Sequence, residues 1–210
     1  MKLADMTVTS FTDTVASDAP APGGGSVAAL AGSIGAALTA MVACLTQGRK
    51  KYAAYADHAS LVEVKGNQLK VRLMDVMDRD TEAFHLVSAA FAMPKATDEE
   101  KAARSAAIQD GLKACTKTPL EMMALIGEAV ELANSLLEGF NDTAASDLGV
   151  AFLSLRTGLL GAWLNVLINV GSLKDADFAA QHRARGRQIL NRTLPLVDAG
   201  YERILSMIQS

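Results

Sequence analysis

The run Ala21-Pro22-Gly23-Gly24-Gly25-Ser26 leads into residues 27–45, a stretch without a charged side chain and packed with Ala, Gly, Ser and Thr. Glycines ahead of such a stretch let the backbone come close to a neighbour, just where a helix dipole presents its positive end. Inside the stretch Ala28, Gly32, Ala36, Ala40 and Cys44 recur every fourth residue. On a helix these positions make a smooth ridge that a second helix can approach closely. Arg49-Lys50-Lys51 closes the segment with three consecutive cations. A helix this uniformly apolar must be covered nearly all round, by its own chain or by a second copy.

The rest of the chain reads as helix. Half of its 210 residues are hydrophobic but only 5% are aromatic. The core must therefore come from Ala, Leu, Val, Ile and Met, which favour helix in the absence of β-branched alternation. The pattern predicts helices over about 9–17, 26–48, 55–92, 97–116, 118–138, 144–171 and 175–207, with Ser26 as an N-cap and a bend near Pro195. Thr118-Pro119 reads as a helix start, because proline suits the first helical position. Short loops between long helices point to one domain over 1–210, an all-α antiparallel bundle of about six long helices.

Bulk properties exclude several classes. A net charge of −3 offers no electrostatic footprint for nucleic acid. Cys44 and Cys115 stand far apart, which fits a reducing, cytoplasmic setting better than a disulfide framework. His58, His85 and His182 lack metal-type spacing, so no metal site is expected. Residues 26–45 have the length of a membrane span, yet their small side chains are weakly apolar for lipid. The second apolar stretch, 148–170, carries Arg156, Asn165 and Asn169, costly groups in a bilayer. Buried helices of a soluble protein, with no membrane partner, are the expectation.

A few polar residues stand out against this background. The glycine loop lacks both the Walker ending and the dinucleotide spacing. What remains is either a tight turn or an anion-friendly helix start at Gly23, Gly24, Gly25 and Ser26. Asp80 falls on the apolar stripe Leu69, Leu73, Val76, Phe84 and Val87. An acid there is either a member of a buried salt bridge or a site carboxylate. Asn141 to Asp147 leads into the second apolar stretch, and Asp147 belongs in its first turn, where the dipole favours a carboxylate. Asn165 and Asn169 lie one turn apart on that stretch, either as helix contacts or lining a polar ligand.

Taken in order, these segments resemble the formiminotransferase-cyclodeaminase C-terminal domain family, which includes stand-alone methenyltetrahydrofolate cyclohydrolases. The resemblance rests on Ala21 to Leu30, Met41-Val42-Ala43, Lys50-Lys51-Tyr52 and Asp80 before Ala83-Phe84. It continues through Pro94 to Thr97, Glu99-Glu100-Lys101, Ser146-Asp147-Leu148-Gly149-Val150, Gly161-Ala162 and Leu164-Asn165-Val166. Phe140, Thr143, Cys44 and Arg156 depart from the family's pattern. The resemblance implies an all-helical homodimer that binds folate near the subunit interface and works without metal or redox cofactor. It implies hydrolysis of 5,10-methenyltetrahydrofolate to 10-formyltetrahydrofolate, with cyclodeamination of 5-formiminotetrahydrofolate as the alternative. A non-catalytic helical dimer is the reading from a different class. On the enzyme reading Asp147 is the first candidate for the catalytic carboxylate, Asp80 the second, and Lys50 the candidate proton shuttle. Gly23, Gly24, Gly25, Ser26, Arg49, Lys51, Asn141, Ser146 and Asn165 are the candidate substrate contacts. The glycine loop and the basic run are roughly 33 Å apart at ~1.5 Å rise per residue, so if both serve one ligand, a dimer mate or a folded-back neighbouring segment must bring them together.

Overall fold

The computed structural model describes residues 2–210. It contains six α-helices and, among the described residues, no strand. They are α1 (Val8–Val15), α2 (Gly24–Thr46), α3 (Ala56–Ala92), α4 (Asp98–Leu136), α5 (Ala145–Gly171) and α6 (Ala176–Gln209). Short 3-10 turns at Leu3–Asp5, Lys50–Tyr55 and Asp142–Ala144 complete the order. The all-helical bundle expected from the sequence is the observed class.

The long helices form two layers. In the first, α2 lies between α3 and α5 and runs antiparallel to both. Its start meets Asp80 and Asn165, and further along Gly32 meets Leu73 while Gly35 meets Leu155. In the second layer α4 and α6 pack behind, α4 against α3 and α5, α6 against α4 and α5. Phe152, Leu73, Met77, Met122, Met123, Ile126, Leu155 and Leu159 fill the space between the layers with almost no exposed surface.

Small residues let α2 sit this close. A Cβ added to Gly158 would stand 2.8 Å from the Ala28 carbonyl oxygen and 2.9 Å from the Gly32 nitrogen. The four-residue ridge does not face one partner. Each step of four turns the helix by about 40° beyond a full circle. Ala28 accordingly meets Gly158 and Gly161 on α5, Gly32 meets Ile126 and Leu73, and Ala40 meets Gly66 on α3. Cys44, the last position, is exposed.

Three local expectations need correction. Residues 97–138 do not form two helices, because α4 runs unbroken through Pro119. Proline at 119 removes the N–H that would bond to the Cys115 carbonyl. The Asn169 side-chain amide supplies that bond from α5 at 2.7 Å, so the helix need not end. Ser26 is not the N-cap of α2; Gly23 is, and it adds no side-chain bond. The basic run does not close α2 either. The helix ends at Thr46, Gly48 takes a left-handed φ of 70°, and Lys50–Tyr55 form a separate turn. At Thr97 the expected helix start is present as a full capping box with Glu100.

Backbone contact at Gly158 leaves no flexible side chain to move aside. Gly158→Val is expected to lower stability by about 1–3 kcal/mol, read as a drop in the thermal melting temperature. An unchanged melt would contradict the close α2–α5 approach.

Candidate active site

The candidate residues gather at the two ends of α2. At the N-terminal end α3 delivers Asp80 directly onto the first turn of α2. A Cβ on Gly25 would lie 2.2 Å from Asp80 Oδ2, so only glycine admits the carboxylate there. The Thr118 hydroxyl, on α4, donates to Asp80 Oδ1 at 3.2 Å. Ser26, fully buried, shares a hydrogen bond with Thr81 at 3.2 Å. From α5 the Asn165 amide donates to the Gly161 carbonyl at 2.9 Å and lies beside Gly24. Gly23 has open space where a side chain would stand.

Asp80 has no cationic partner among the described residues, and no salt bridge reaches it. Burial raises its carboxyl above the ordinary carboxylate range, and the Thr118 hydrogen bond opposes that rise. Burial, with the Asp80 charge added, pushes the nearby Cys115 thiol up to about 11, which makes it inert as a nucleophile. Of the two sequence readings of Asp80, the buried salt bridge is absent.

The C-terminal end of α2 holds the other candidates. Arg49, Lys50 and Lys51 are exposed, and with Tyr52, Asn141, Asp142 and Thr143 they line one shallow cleft. Lys51 pairs with Asp142, which holds the Asp142 carboxyl below the ordinary range and the Lys51 amine above its own. The Tyr52 hydroxyl accepts from the Asp142 N–H at 3.1 Å. Asn141 is buried and committed locally: its amide donates to the Leu45 carbonyl, and its oxygen accepts from Thr143. Its backbone N–H donates to Thr46 Oγ1 at 2.9 Å. This side chain ties the end of α2 to the 3-10 turn that leads into α5. Asp147, partly buried, and exposed Ser146 lie in the first turn of α5 at this same end.

Within one chain, then, Asp80, Gly24, Gly25, Ser26 and Asn165 come together, while Arg49, Lys50, Lys51, Asn141, Ser146 and Asp147 form a separate group. Between Gly25 and Ala43 the axis of α2 covers about 27 Å at ~1.5 Å per residue. Thr81 and Thr118 belong to the first group and were missed in the sequence. Thr118 read there as a helix start, and nothing local links it to an acid 38 residues earlier.

An all-α bundle with a buried carboxylate, free of any cation among the described residues, seated against a glycine-rich helix start is the class of protein that this fold and site define. The chain belongs to the formiminotransferase-cyclodeaminase family, whose model matches residues 7–188. It is 41% identical over 202 residues to a methenyltetrahydrofolate cyclohydrolase of Methylorubrum extorquens, covering 96% of this chain and 97% of that one. It is 33% identical to the formimidoyltransferase-cyclodeaminase of Rattus norvegicus, matching 90% of this chain but only 35% of that longer protein. Its fold also matches the crystal structure of a formiminotetrahydrofolate cyclodeaminase from Thermotoga maritima. That match has a TM-score of 0.82 and 25% identity, over 99% of this chain and 98% of the other.

The buried carboxylate has a measurable consequence. A carboxyl raised in the folded state binds protons that the unfolded chain has already released, so stability falls as pH rises through the interval between the two values. Asp80→Asn removes that charge. The variant is expected to melt higher than the wild type at pH 7, with the gain vanishing below about pH 4. A lower melt at pH 7 would mean that burial does not dominate at Asp80.

Proposed function

We propose that this protein hydrolyses 5,10-methenyltetrahydrofolate to 10-formyltetrahydrofolate, with Asp80 as the carboxylate at the reacting carbon. The observation that carries the reading is Asp80 seated on Gly25 without a cation of its own. The substrate is an amidinium-like cation, and a buried carboxylate is its natural complement. End-to-end similarity to a relative of that name supports the same reaction.

Water adds to the cationic bridging carbon and gives one proton to Asp80 as the carbon–oxygen bond forms. The tetrahedral adduct then collapses. The carbon–N5 bond breaks, N5 takes a proton from Asp80, and the adduct hydroxyl loses its proton as the formyl carbonyl forms. One proton leaves to solvent overall. Asn165 and the Gly23–Gly25 backbone border the reacting end of the ligand. The reaction needs no cofactor beyond the folate itself. Cyclodeamination of 5-formiminotetrahydrofolate is the second reading, supported by the similar fold and length of the Thermotoga maritima protein.

The site is completed by a second copy of the chain. Helices Gly24–Thr46 and Asp142–Gly171 are long and apolar enough to cross a membrane, yet only 56% and 44% of their most apolar windows are buried. Val27, Ile34 and Met41 stand exposed at seven-residue spacing on α2, and Val150, Leu164 and Ile168 are exposed on the neighbouring α5. A homodimer covers this face without recourse to lipid. Two antiparallel copies set the basic turn of one subunit beside the Asp80 end of the other. The cations Arg49, Lys50 and Lys51 then meet the substrate's glutamate tail, and Asp147 approaches the same pocket. With both cysteines free, a reducing cytoplasm suits the protein.

Purified protein is expected to speed the loss of methenyltetrahydrofolate absorbance over buffer. Asp80→Asn should lose about 10²–10⁴ in kcat while keeping its helical circular dichroism. Near-wild-type turnover in that variant removes Asp80 from the chemistry. Ammonia release from formiminotetrahydrofolate, followed beside it, separates the two reactions. Ile34→Glu is expected to halve the mass seen by light scattering and to depress turnover. A fully active monomer would sink the shared site and leave the Asp80 chemistry standing.

A further inference from the structure

We propose that Thr118 is a positioning residue that fixes the Asp80 carboxylate in its working orientation, an inference that rests on the reading of Asp80 as proton acceptor given above. Several helical threonines of this chain satisfy their hydroxyls one turn back, whereas Thr81, at the same end of α2, bonds across to Ser26. Thr39 donates to the Gly35 carbonyl at 2.9 Å, Thr46 to Val42 at 2.8 Å, Thr116 to Leu112 at 2.8 Å and Thr157 to Leu153 at 3.0 Å. Such back-bonding is the easy choice for a hydroxyl inside a helix. Thr118 departs from it. Buried in α4, it reaches across to α3 and donates to Asp80 Oδ1 at 3.2 Å.

The local irregularity of α4 lies at the same place. Pro119 follows Thr118, and the carbonyl it leaves unbonded is taken by Asn169 from α5. Three helices therefore meet at this turn, and Thr118 is the group among them that addresses the carboxylate. Its neighbours offer no substitute. From α2 comes Gly25, on a helix without charged side chains. From α4 comes the Cys115 thiol, itself held neutral by burial and by the Asp80 charge. From α5 come the amide groups of Asn165 and Asn169, which donate to the Gly161 and Cys115 carbonyls. On α3 Arg79 is engaged by Asp75 and Glu121, and Glu82 is exposed.

A carboxylate with two free torsions and one anchored oxygen keeps its other oxygen aimed in a fixed direction. Here Oδ1 accepts the hydrogen bond from the threonine hydroxyl, and Oδ2 faces the start of α2. Removing the hydroxyl frees the rotamer and withdraws a donor that favours the anion, so the group should protonate at higher pH.

The test uses full-length wild type, Thr118→Val and Thr118→Ser, with thermal melts beside each measurement. In Thr118→Val the acidic limb of the kcat profile is expected to move up by about one pH unit and the plateau to fall about tenfold. Thr118→Ser should restore both. If valine does not fold, Thr118→Ala serves in its place. Titration of the Asp80 carboxyl carbon by NMR reads the same contact without any activity. A wild-type midpoint in the hydroxyl-free variant overturns the positioning role. A shifted midpoint in a protein inert toward both folates supports the contact and defeats the functional reading instead.

Discussion

The backbone-close packing of α2 governs what the rest of the molecule does. Gly158 against the Ala28 carbonyl and Gly66 against Ala40 bring α5 and α3 to the flanks of one small-residue helix. With α3 and α5 this near, a carboxylate on α3 and an amide on α5 both reach the first turn of α2. Small side chains also bury little area themselves, so the stability of the layer depends on the larger residues of α4 behind it, Met122, Met123 and Ile126. The same economy leaves the outer face of α2 apolar and uncovered. One packing choice thus sets the carboxylate, its glycine seat and the bare surface that a second copy is proposed to cover.

Much of this was legible in the chain, for identifiable reasons. Helix periodicity, the Thr97 capping box and the Pro94 break are local signals, and they mark α3 and the start of α4 closely. Asp80 was legible because an acid on an apolar stripe is conspicuous without any knowledge of its neighbours. Pro119 misled, because a proline is locally indistinguishable at a helix start and inside a helix. What decides is the Asn169 amide, 54 residues away. Thr118 stayed hidden for the same reason: its partner lies on another helix. The ridge of fourth residues was read as one face, whereas the mismatch between four residues and the helical turn wraps it past three neighbours.

The division of the polar residues between the two ends of α2 follows from helix geometry. No side chain spans the length of a 23-residue helix. Lys51 and Asp142 neutralise one another at the far end, exposed and weak as a pair. Asn141 is spent on joining two helices rather than facing solvent. The group that meets the glycines is therefore poor in charge: one carboxylate, hydroxyls and an amide. On the proposed reading, such a set would respond to where a ligand carries its positive charge more than to how much charge it carries.

That poverty bears on how a carboxylate accelerates the proposed hydrolysis. Attraction between Asp80 and a cationic folate is strongest before reaction, and an interaction that favours the ground state lowers no barrier. As water adds, positive charge leaves the bridging carbon and gathers on the incoming oxygen. A carboxylate helps the transition state only if it follows that charge, and following it means taking the proton. Burial serves this end, because it raises the proton affinity of Asp80 toward the range where acceptance is favourable. Electrostatic attraction would then draw the substrate in, while proton acceptance does the chemistry. The product has lost the cation, so the attraction that seated the substrate is absent when the formyl compound must leave.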